Sequence, residues 1–473
     1  MATLTDHKGL RLGTLSSLYF AQGVPWGFIS VGYSVLLADL GLGATEIGAA
    51  MGLAYLPWSF KVLWGPLLDA VPPLRIGRRR PFIVFAELMM GVSLLGLLLV
   101  DPRTDLGWVA AILFVNNTFA SLQDVAVDAL AIDILPDDEK GRANALMWSG
   151  KSLGVVAGGG GGLLVAKSLG WDALFVMMAV LLWLIMLLPL ILRERDVEPD
   201  DQGLDARLLK LGIFLLPFTA VGAAMYGMGL LGDSLAEAGH WAAPFVSVAQ
   251  PFVAVGGALA AWPLVDRRGF RELSESFRTP TPWWALLAAI LTPAGYAMVG
   301  PAMAKLIRVD LALSEERIAF LSGIVDPAAG VVGALFGGFI ADRVGLRRSI
   351  GGAMGAVALV LMSWSATEPH WGMWAWLIGF TALYGLSVNA YSAANLGLFM
   401  AVSNPKVGAT HFAIYMAAMN LTYSFTAPLG GILADRYGFA VLFGVAAVVQ
   451  VLTIVLLWPI DTERAKAHFA ASS

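Results

Sequence analysis

Leu56-Pro57-Trp58-Ser59-Phe60-Lys61-Val62-Leu63-Trp64-Gly65-Pro66-Leu67-Leu68-Asp69, followed by Gly77-Arg78-Arg79-Arg80, is an apolar run closed by an acid and then a basic cluster. The pattern returns as Gly338-Phe339-Ile340-Ala341-Asp342-Arg343-Val344-Gly345-Leu346-Arg347-Arg348. An apolar run of about 20 residues is the length that crosses a bilayer. The arginines behind each run suit the anionic cytoplasmic leaflet, and the acid suits a neighbouring helix N-terminus. Recurrence at matched places in two halves points to an internal repeat with a shared gate, Gly65, Asp69, Arg78 and Arg79 against Gly338, Asp342, Arg343 and Arg347. Two further copies, Asp266-Arg267-Arg268-Gly269 and Asp435-Arg436-Tyr437-Gly438, warn that Asp-Arg-x-Gly alone is a weak signal.

Working outward from these runs gives about fourteen spans: 13–37, 46–67, 82–100, 107–131, 143–166, 172–192, 211–231, 243–264, 284–304, 318–340, 349–366, 372–400, 408–432 and 440–459. Longer polar connections fall near 193–210 and 265–283. They set off one helix pair and predict a 6 + 2 + 6 order: an N-terminal six-helix bundle over 1–200, a two-helix insert over 201–270 and a C-terminal six-helix bundle over 271–473. An even count puts both termini on one side. Of the 30 Lys and Arg, 22 then fall on the side of the termini, 6 opposite, and Lys61 and Lys151 within spans. That bias makes the termini cytoplasmic.

Composition agrees. The chain has 473 residues, 58% hydrophobic and 14% charged, with a mean hydropathy of +0.74. A soluble domain carries about 25% charged residues. The fold class is therefore an all-α polytopic membrane protein. A net charge of −4 without a basic stripe argues against nucleic acid. The absence of Cys excludes disulfides and thiol chemistry. No cofactor or metal is expected, and the start, Met1 to Gly13, leads into the first span with no signal-type cleavage site.

The matched motif resembles that of the major facilitator superfamily, where it follows the second and eighth of twelve helices. Leu18-Tyr19-Phe20-Ala21-Gln22-Gly23-Val24-Pro25, the Lys61-x-x-Trp64-x-Pro66-x-x-Asp69 block and Gln123-Asp124-x-x-x-Asp128 resemble the peptide/acetyl-CoA transporter family within it. Gly408-Ala409-Thr410-His411-Phe412-Ala413 is similar to a segment of bacterial muropeptide permeases. The resemblance implies a major facilitator-type fold and alternating access by a secondary transporter. It also implies an anionic organic solute taken up with protons across a bacterial inner membrane, a muropeptide-like sugar-peptide foremost. There are two departures. The extra helix pair lies between the halves, and Gly295-Tyr296-Ala297-Met298-Val299-Gly300 stands where the family has Tyr-Lys-x-Gly-Asp.

A charge at the centre of a span costs about 2.5–3.5 kcal/mol on insertion scales, so those present need a partner or a purpose. If the helices are regular, Lys61 lies about 12 Å above Asp69, and Asp124 and Lys151 lie about 13.5 Å above Asp133 and Arg142. Asp128 is one turn below Asp124 on the same face. Lys61, Asp124, Asp128 and Lys151 thus form either an inert ion-pair cluster or a site for an anion and a proton. Gln22, Asn116 and Asn117 are candidate cavity amides, though amides also join helices. Asp326-Pro327 marks a kinked helix with a proton acceptor or a capped kink. Asn389, Tyr391, Asn395, Asn420 and Tyr423 offer the second half an uncharged polar face. Glu87 and His411, near cytoplasmic ends, are expected to snorkel. Gly158 to Gly162 suit close packing or flexing rather than phosphate binding, and Gly150-Lys151-Ser152 fails as a P-loop because Ala145 stands where its first Gly is needed.

The expected partners are a small-molecule solute, protons and the lipid bilayer, with a monomer as the working unit. Exchange of an acyl-CoA-type anion, a lipid flippase or membrane enzyme, and a non-transporting sensor remain alternatives.

Overall fold

The computed structural model describes residues 3–465 apart from 66–67, 69–76, 102–103, 137–138, 195–203, 266 and 405–407. Asp69 of the first gate motif thus lies outside the described residues. The principal helices are α1 (Lys8–Gly27), α2 (Ala44–Tyr55), α3 (Arg80–Gly96), α4 (Leu106–Ile134), α5 (Lys140–Gly158), α6 (Gly160–Leu169) and α7 (Trp171–Ile191). They continue as α8 (Leu204–Glu237), α9 (Val246–Val265), α10 (Pro280–Leu291), α11 (Asp326–Val344), α12 (Leu346–Ala366), α13 (Trp374–Ala401), α14 (Gly408–Tyr437) and α15 (Phe439–Leu452). Among the described residues there is no strand, only an isolated bridge between Thr3 and Arg193. Ten helices there are long and apolar enough to cross a membrane. Of the other four expected ranges, α8, α13 and α14 run through three, and α2 covers the first part of 46–67.

The chain divides into two compact units: Met1–Leu36 with Leu63–Ala220, and Leu37–Val62 with Val221–Ser473. In the first, α1 lies along α5, and α3 packs between α4 and α7. Glycine permits the α1–α5 approach. A Cβ on Gly23 would come within 3.0 Å of the Gly154 Cα, and one on Gly27 within 2.7 Å of the Val155 Cα. Small residues that let backbones touch are how helices associate where water supplies no drive. The glycine run serves this packing and also a break: α5 stops at Gly158, Gly159 takes φ −83° and ψ −93°, and α6 restarts at Gly160.

In the second unit α2 lies along α14, again through glycine. A Cβ on Gly431 would sit 2.6 Å from the Thr45 Cα, and one on Gly48 would sit 3.0 Å from the Pro428 Cα. The helices α11 and α13, α12 and α13, and α12 and α15 also pack together. Of the insert, α9 lies on α14, where Phe252 and Phe425 meet at 4.9 Å between ring centroids. Its Gln250 donates to the Met225 carbonyl of α8 at 3.2 Å. Tyr226, Leu230, Leu231, Val253 and Leu259 of the pair are exposed, as residues facing lipid are.

Prolines break two spans. Beyond α2 the chain tightens into 3-10 turns at Leu56–Ser59 and Lys61–Leu63, because Pro57 donates no N–H and disfavours α geometry before it. Lys61 therefore does not sit on a continuous α-helix, and the depth expected for it from a regular rise does not apply. After α10, Pro293 interrupts the helix. Gln450 of α15 repairs the break: its Nε2 donates to the Thr292 carbonyl at 2.8 Å and its Oε1 accepts from the Tyr296 N–H at 3.2 Å. Freed backbone groups inside a membrane need such substitutes.

Candidate functional site

In the first unit the polar side chains converge on one bonded chain. Gln22 of α1 is fully buried, and its Nε2 donates to Asp124 Oδ1 at 2.6 Å and to Gln123 Oε1 at 3.4 Å. Gln123 Nε2 donates to the Leu18 carbonyl at 2.9 Å and to Glu87 Oε1 of α3 at 3.2 Å. One turn along, the Tyr19 hydroxyl donates to Asp128 Oδ1. Asp124 and Asp128 are thus held by α1, which the spacing along α4 alone did not reveal. Lys151 stands over the rings of Trp148 and Trp26, at 5.4 and 5.9 Å from their centroids. Lys61, counted with the second unit, stands 5.7 Å from the Trp58 ring centroid. Asn116 bonds to the Met90 carbonyl and to Ser93, both at 2.9 Å, and so ties α4 to α3. Asn117 bonds to Leu113 of its own helix at 3.1 Å.

Snorkelling fails for Glu87 and His411. Both are fully buried. His411 accepts from the Asn404 N–H at 3.2 Å and meets the Tyr415 hydroxyl at 2.8 Å. Glu87 points inward because that face of α3 meets α4, and depth along a helix does not encode facing.

The second unit carries the candidate polar residues Asp326, Asn389, Tyr391, Asn395, Asn420 and Tyr423. A π-turn, Leu321–Val325, runs into Asp326-Pro327 at the start of α11. Such turns recur where a helix bends. The Asp326 carboxylate lies over Gly385 of α13, where a Cβ would be 2.6 Å from its Oδ1. One turn on, Asn389 donates to the Gly385 carbonyl at 2.8 Å. Tyr391 bonds to Thr292 at 2.7 Å and to Asn395 at 3.0 Å. Tyr423 bonds to the Tyr296 hydroxyl at 3.1 Å, and Tyr384 to the Tyr296 carbonyl at 2.9 Å. Asn420 reaches the Trp58 carbonyl at 3.3 Å. This tyrosine cluster about Tyr296 occupies the place of the missing family segment.

Each candidate gate motif has an arginine that docks on backbone carbonyls. Arg80, which the sequence reading did not single out, donates to the Pro189 and Leu190 carbonyls at the end of α7, at 2.5 and 2.9 Å. Arg347 donates to the Trp458 and Ile460 carbonyls after the last helix at 3.2 and 2.6 Å. In each half a motif arginine thus binds backbone carbonyls at or just beyond the end of the closing helix, where a cation is favoured. Arg79 pairs with Asp133 at 3.0 Å, and the Arg78 and Arg79 N–H groups donate to Glu194. Arg343 lies 3.6 Å from the Phe339 ring centroid, and Asp342 is exposed. Gly345 and Gly438 take φ of +87° and +86°, so in these two copies the last Gly of Asp-Arg-x-Gly is a helix terminator. In the copy at 266–269 it is not, since Gly269 lies within the helix Arg267–Ser276.

Asp435 adds a feature of its own beyond the end of its span. Gly43, before α2, has no side chain to cap the helix. Asp435 supplies the oxygens, accepting from the Ala44 and Thr45 N–H groups at 3.0 and 2.7 Å while pairing with Lys305 at 2.9 Å. Burial opposes the charge, but Lys305 and the Thr45 and Ala44 amides outweigh it and hold the carboxyl below the usual carboxylate range. The stabilisation is therefore complete above the ordinary carboxylate pKa and is lost as pH falls through the lowered value. Asp435→Ala should lower stability by about 1 kcal/mol, the size of a lost N-terminal cap. Thermal unfolding of the purified variant at neutral pH checks this, and an unchanged midpoint refutes it.

The family model described as Major Facilitator Superfamily matches residues 15–283 and 285–472. The chain belongs to the Major Facilitator Superfamily. The anhydromuropeptide permease of Escherichia coli K12 is 25% identical over 457 residues, covering 94% of this chain and 79% of the permease. A POT family transporter solved with 5-aminolevulinic acid superposes with a TM-score of 0.71 at 11% identity, covering 98% of both chains. The POT family transporter PepTSo gives 0.66 at 12% identity, also covering 98% of both. At such identities the two structures speak for the fold. Membership of the superfamily makes the chain a multi-pass membrane transporter and not an enzyme.

Proposed function

We propose that this chain is a proton-coupled permease that imports a muropeptide-like sugar-peptide across a bacterial inner membrane. The observation that carries the reading is the similarity, along nearly the whole chain, to the Escherichia coli anhydromuropeptide permease. The buried Asp124 and the half-buried Asp128 support the coupling part, since an ionisable group kept inside a membrane is a functional candidate by default. In this reading Lys61 and Lys151 meet the anionic part of the solute, and Asp124 or Asp128 carries the proton. Gln22, Asn116, Asn117, Asp326, Asn389 and Asn420 complete the polar lining. The chain in this reading has two six-helix bundles, 1–200 and 271–473, with 201–270 as the insert, in fourteen spans with both termini cytoplasmic. The protein works as a monomer, and the two gate motifs, Asp69 and Asp342 among them, govern the exchange of inward- and outward-facing forms.

Purified protein in liposomes should accumulate a labelled anhydromuropeptide when the outer solution is made acid, and less so when the gradient is collapsed with a protonophore. Absence of uptake overturns the solute. Uptake that ignores the gradient overturns the coupling.

A further inference from the structure

Glu87 lies inside the first unit with its side chain fully buried. Its Oε1 accepts from Gln123 at 3.2 Å, and among the described residues its Oε2 meets no hydrogen-bond partner. Gln22 Oε1, two residues along the same bonded chain, is likewise buried without a donor among the described residues. Among the described residues the elements packed on α3 bring few charges to this face. From α4 come Asp124 and, further along, Asp128 and Asp133. From α1 comes Tyr19, with Lys8 and Arg11 near its start. From α7 comes only Asp172, in its first turn. Arg80 of α3 itself is engaged at the end of α7. No described ion pair includes Glu87.

The chemistry of that arrangement is specific. A bare carboxylate without a counter-ion is the costliest occupant of an apolar interior, and a single proton removes its charge. The vacant Oε2 is where that proton goes. It forms an O–H bond there, and on release the electron pair stays on the carboxylate. A purely structural side chain at this place gains nothing from being an acid, because a glutamine makes the same bond to Gln123. The two glutamines also link the group to the candidate transport site, since each aims an amide N–H at a carboxylate. A change of charge on Glu87 alters the partner of Gln123, hence of Gln22, hence of Asp124.

We propose that Glu87 is a proton-binding group of the transport cycle, joined through Gln123 and Gln22 to Asp124. The proposal rests on the proton-coupled reading above, and the test separates the two. The reconstituted wild type and Glu87→Gln are titrated by infrared difference spectroscopy, which detects the carbonyl stretch of a protonated carboxylic acid without any solute. The wild type should show a titrating band that Glu87→Gln lacks; an unchanged spectrum overturns the proposal. In liposomes, Glu87→Gln should exchange labelled for unlabelled anhydromuropeptide across the membrane yet not concentrate it above the outside level. Accumulation equal to wild type with unchanged pH dependence overturns it. If the wild type moves no anhydromuropeptide, the solute reading fails while the infrared comparison still decides Glu87. Should Glu87→Gln not fold, Glu87→Asp keeps the acid and should displace the band's titration; a band titrating as in wild type overturns the proposal.

Discussion

Gly154→Leu should abolish the folded protein, and Gly154→Ala should destabilise it clearly. The expectation follows from which atoms stand opposite. A Cβ at residue 154 falls against the Phe20 carbonyl oxygen and within 2.9 Å of the Gly23 Cα. At residue 158 it falls against the Val24 carbonyl and 2.8 Å from its carbon. Overpacking costs about 1–3 kcal/mol where neighbouring side chains shift. Here the neighbours are backbone, so relief requires separating α1 from α5 along their length. That separation would also pull Gln22 and Tyr19 away from Asp124 and Asp128. Gly352→Ala, whose Cβ meets nothing within 4 Å, is the control and should behave as wild type. Yield of monodisperse protein and thermal unfolding in detergent check the series. A stable Gly154→Leu protein would mean that α1 and α5 do not touch.

Why this contact escaped the sequence reading is instructive. Gly150, Gly154 and Gly158 recur every four residues and so share one helix face. The eye goes instead to the run Gly158 to Gly162, which ends the helix. The spans themselves were legible because bilayer thickness fixes their length and positive residues fix their ends. The recurrence of the acid and its arginines was legible too, but that Arg80 and Arg347 dock on backbone carbonyls was not, since the spacing speaks only of a basic cluster at the leaflet. Facing was not. Lipid and protein core are both apolar, so a membrane helix shows little amphipathic contrast to say which side meets a neighbour. Glu87 illustrates the consequence: its depth suggested an escape to the surface, whereas its face leads into α4. Lys61 illustrates another limit, since an α rise was assumed across Pro57. The capping of α2 by Asp435 joins residues nearly four hundred apart, and no local pattern announces it.

The double variant Asp124→Asn/Asp128→Asn should fold and lose gradient-driven accumulation. Asp124 is buried and accepts from Gln22, and Asp128 accepts from Tyr19. An asparagine keeps a carbonyl oxygen for each donor, so the bonds to α1 survive while the ionisable oxygens go. Asp124→Ala is different: it strands the Gln22 amide in a dry interior, at about 1–3 kcal/mol for an unsatisfied buried group. The two substitutions therefore separate structure from coupling. If the cluster only braces α1 against α4, the alanine variant melts earlier, and the double asparagine variant still accumulates solute with a wild-type pH profile. If it carries the proton, the asparagine variant melts close to wild type, still exchanges anhydromuropeptide, and no longer responds to the gradient. Both acids must be changed together, because two carboxyls one helical turn apart on the same face can serve for one another. Uptake and counterflow in liposomes, read beside thermal unfolding of the same preparations, supply the comparison. Unchanged pH-dependent accumulation by the double variant would remove Asp124 and Asp128 from proton transfer and leave Glu87 and Asp326 to be tested in their place.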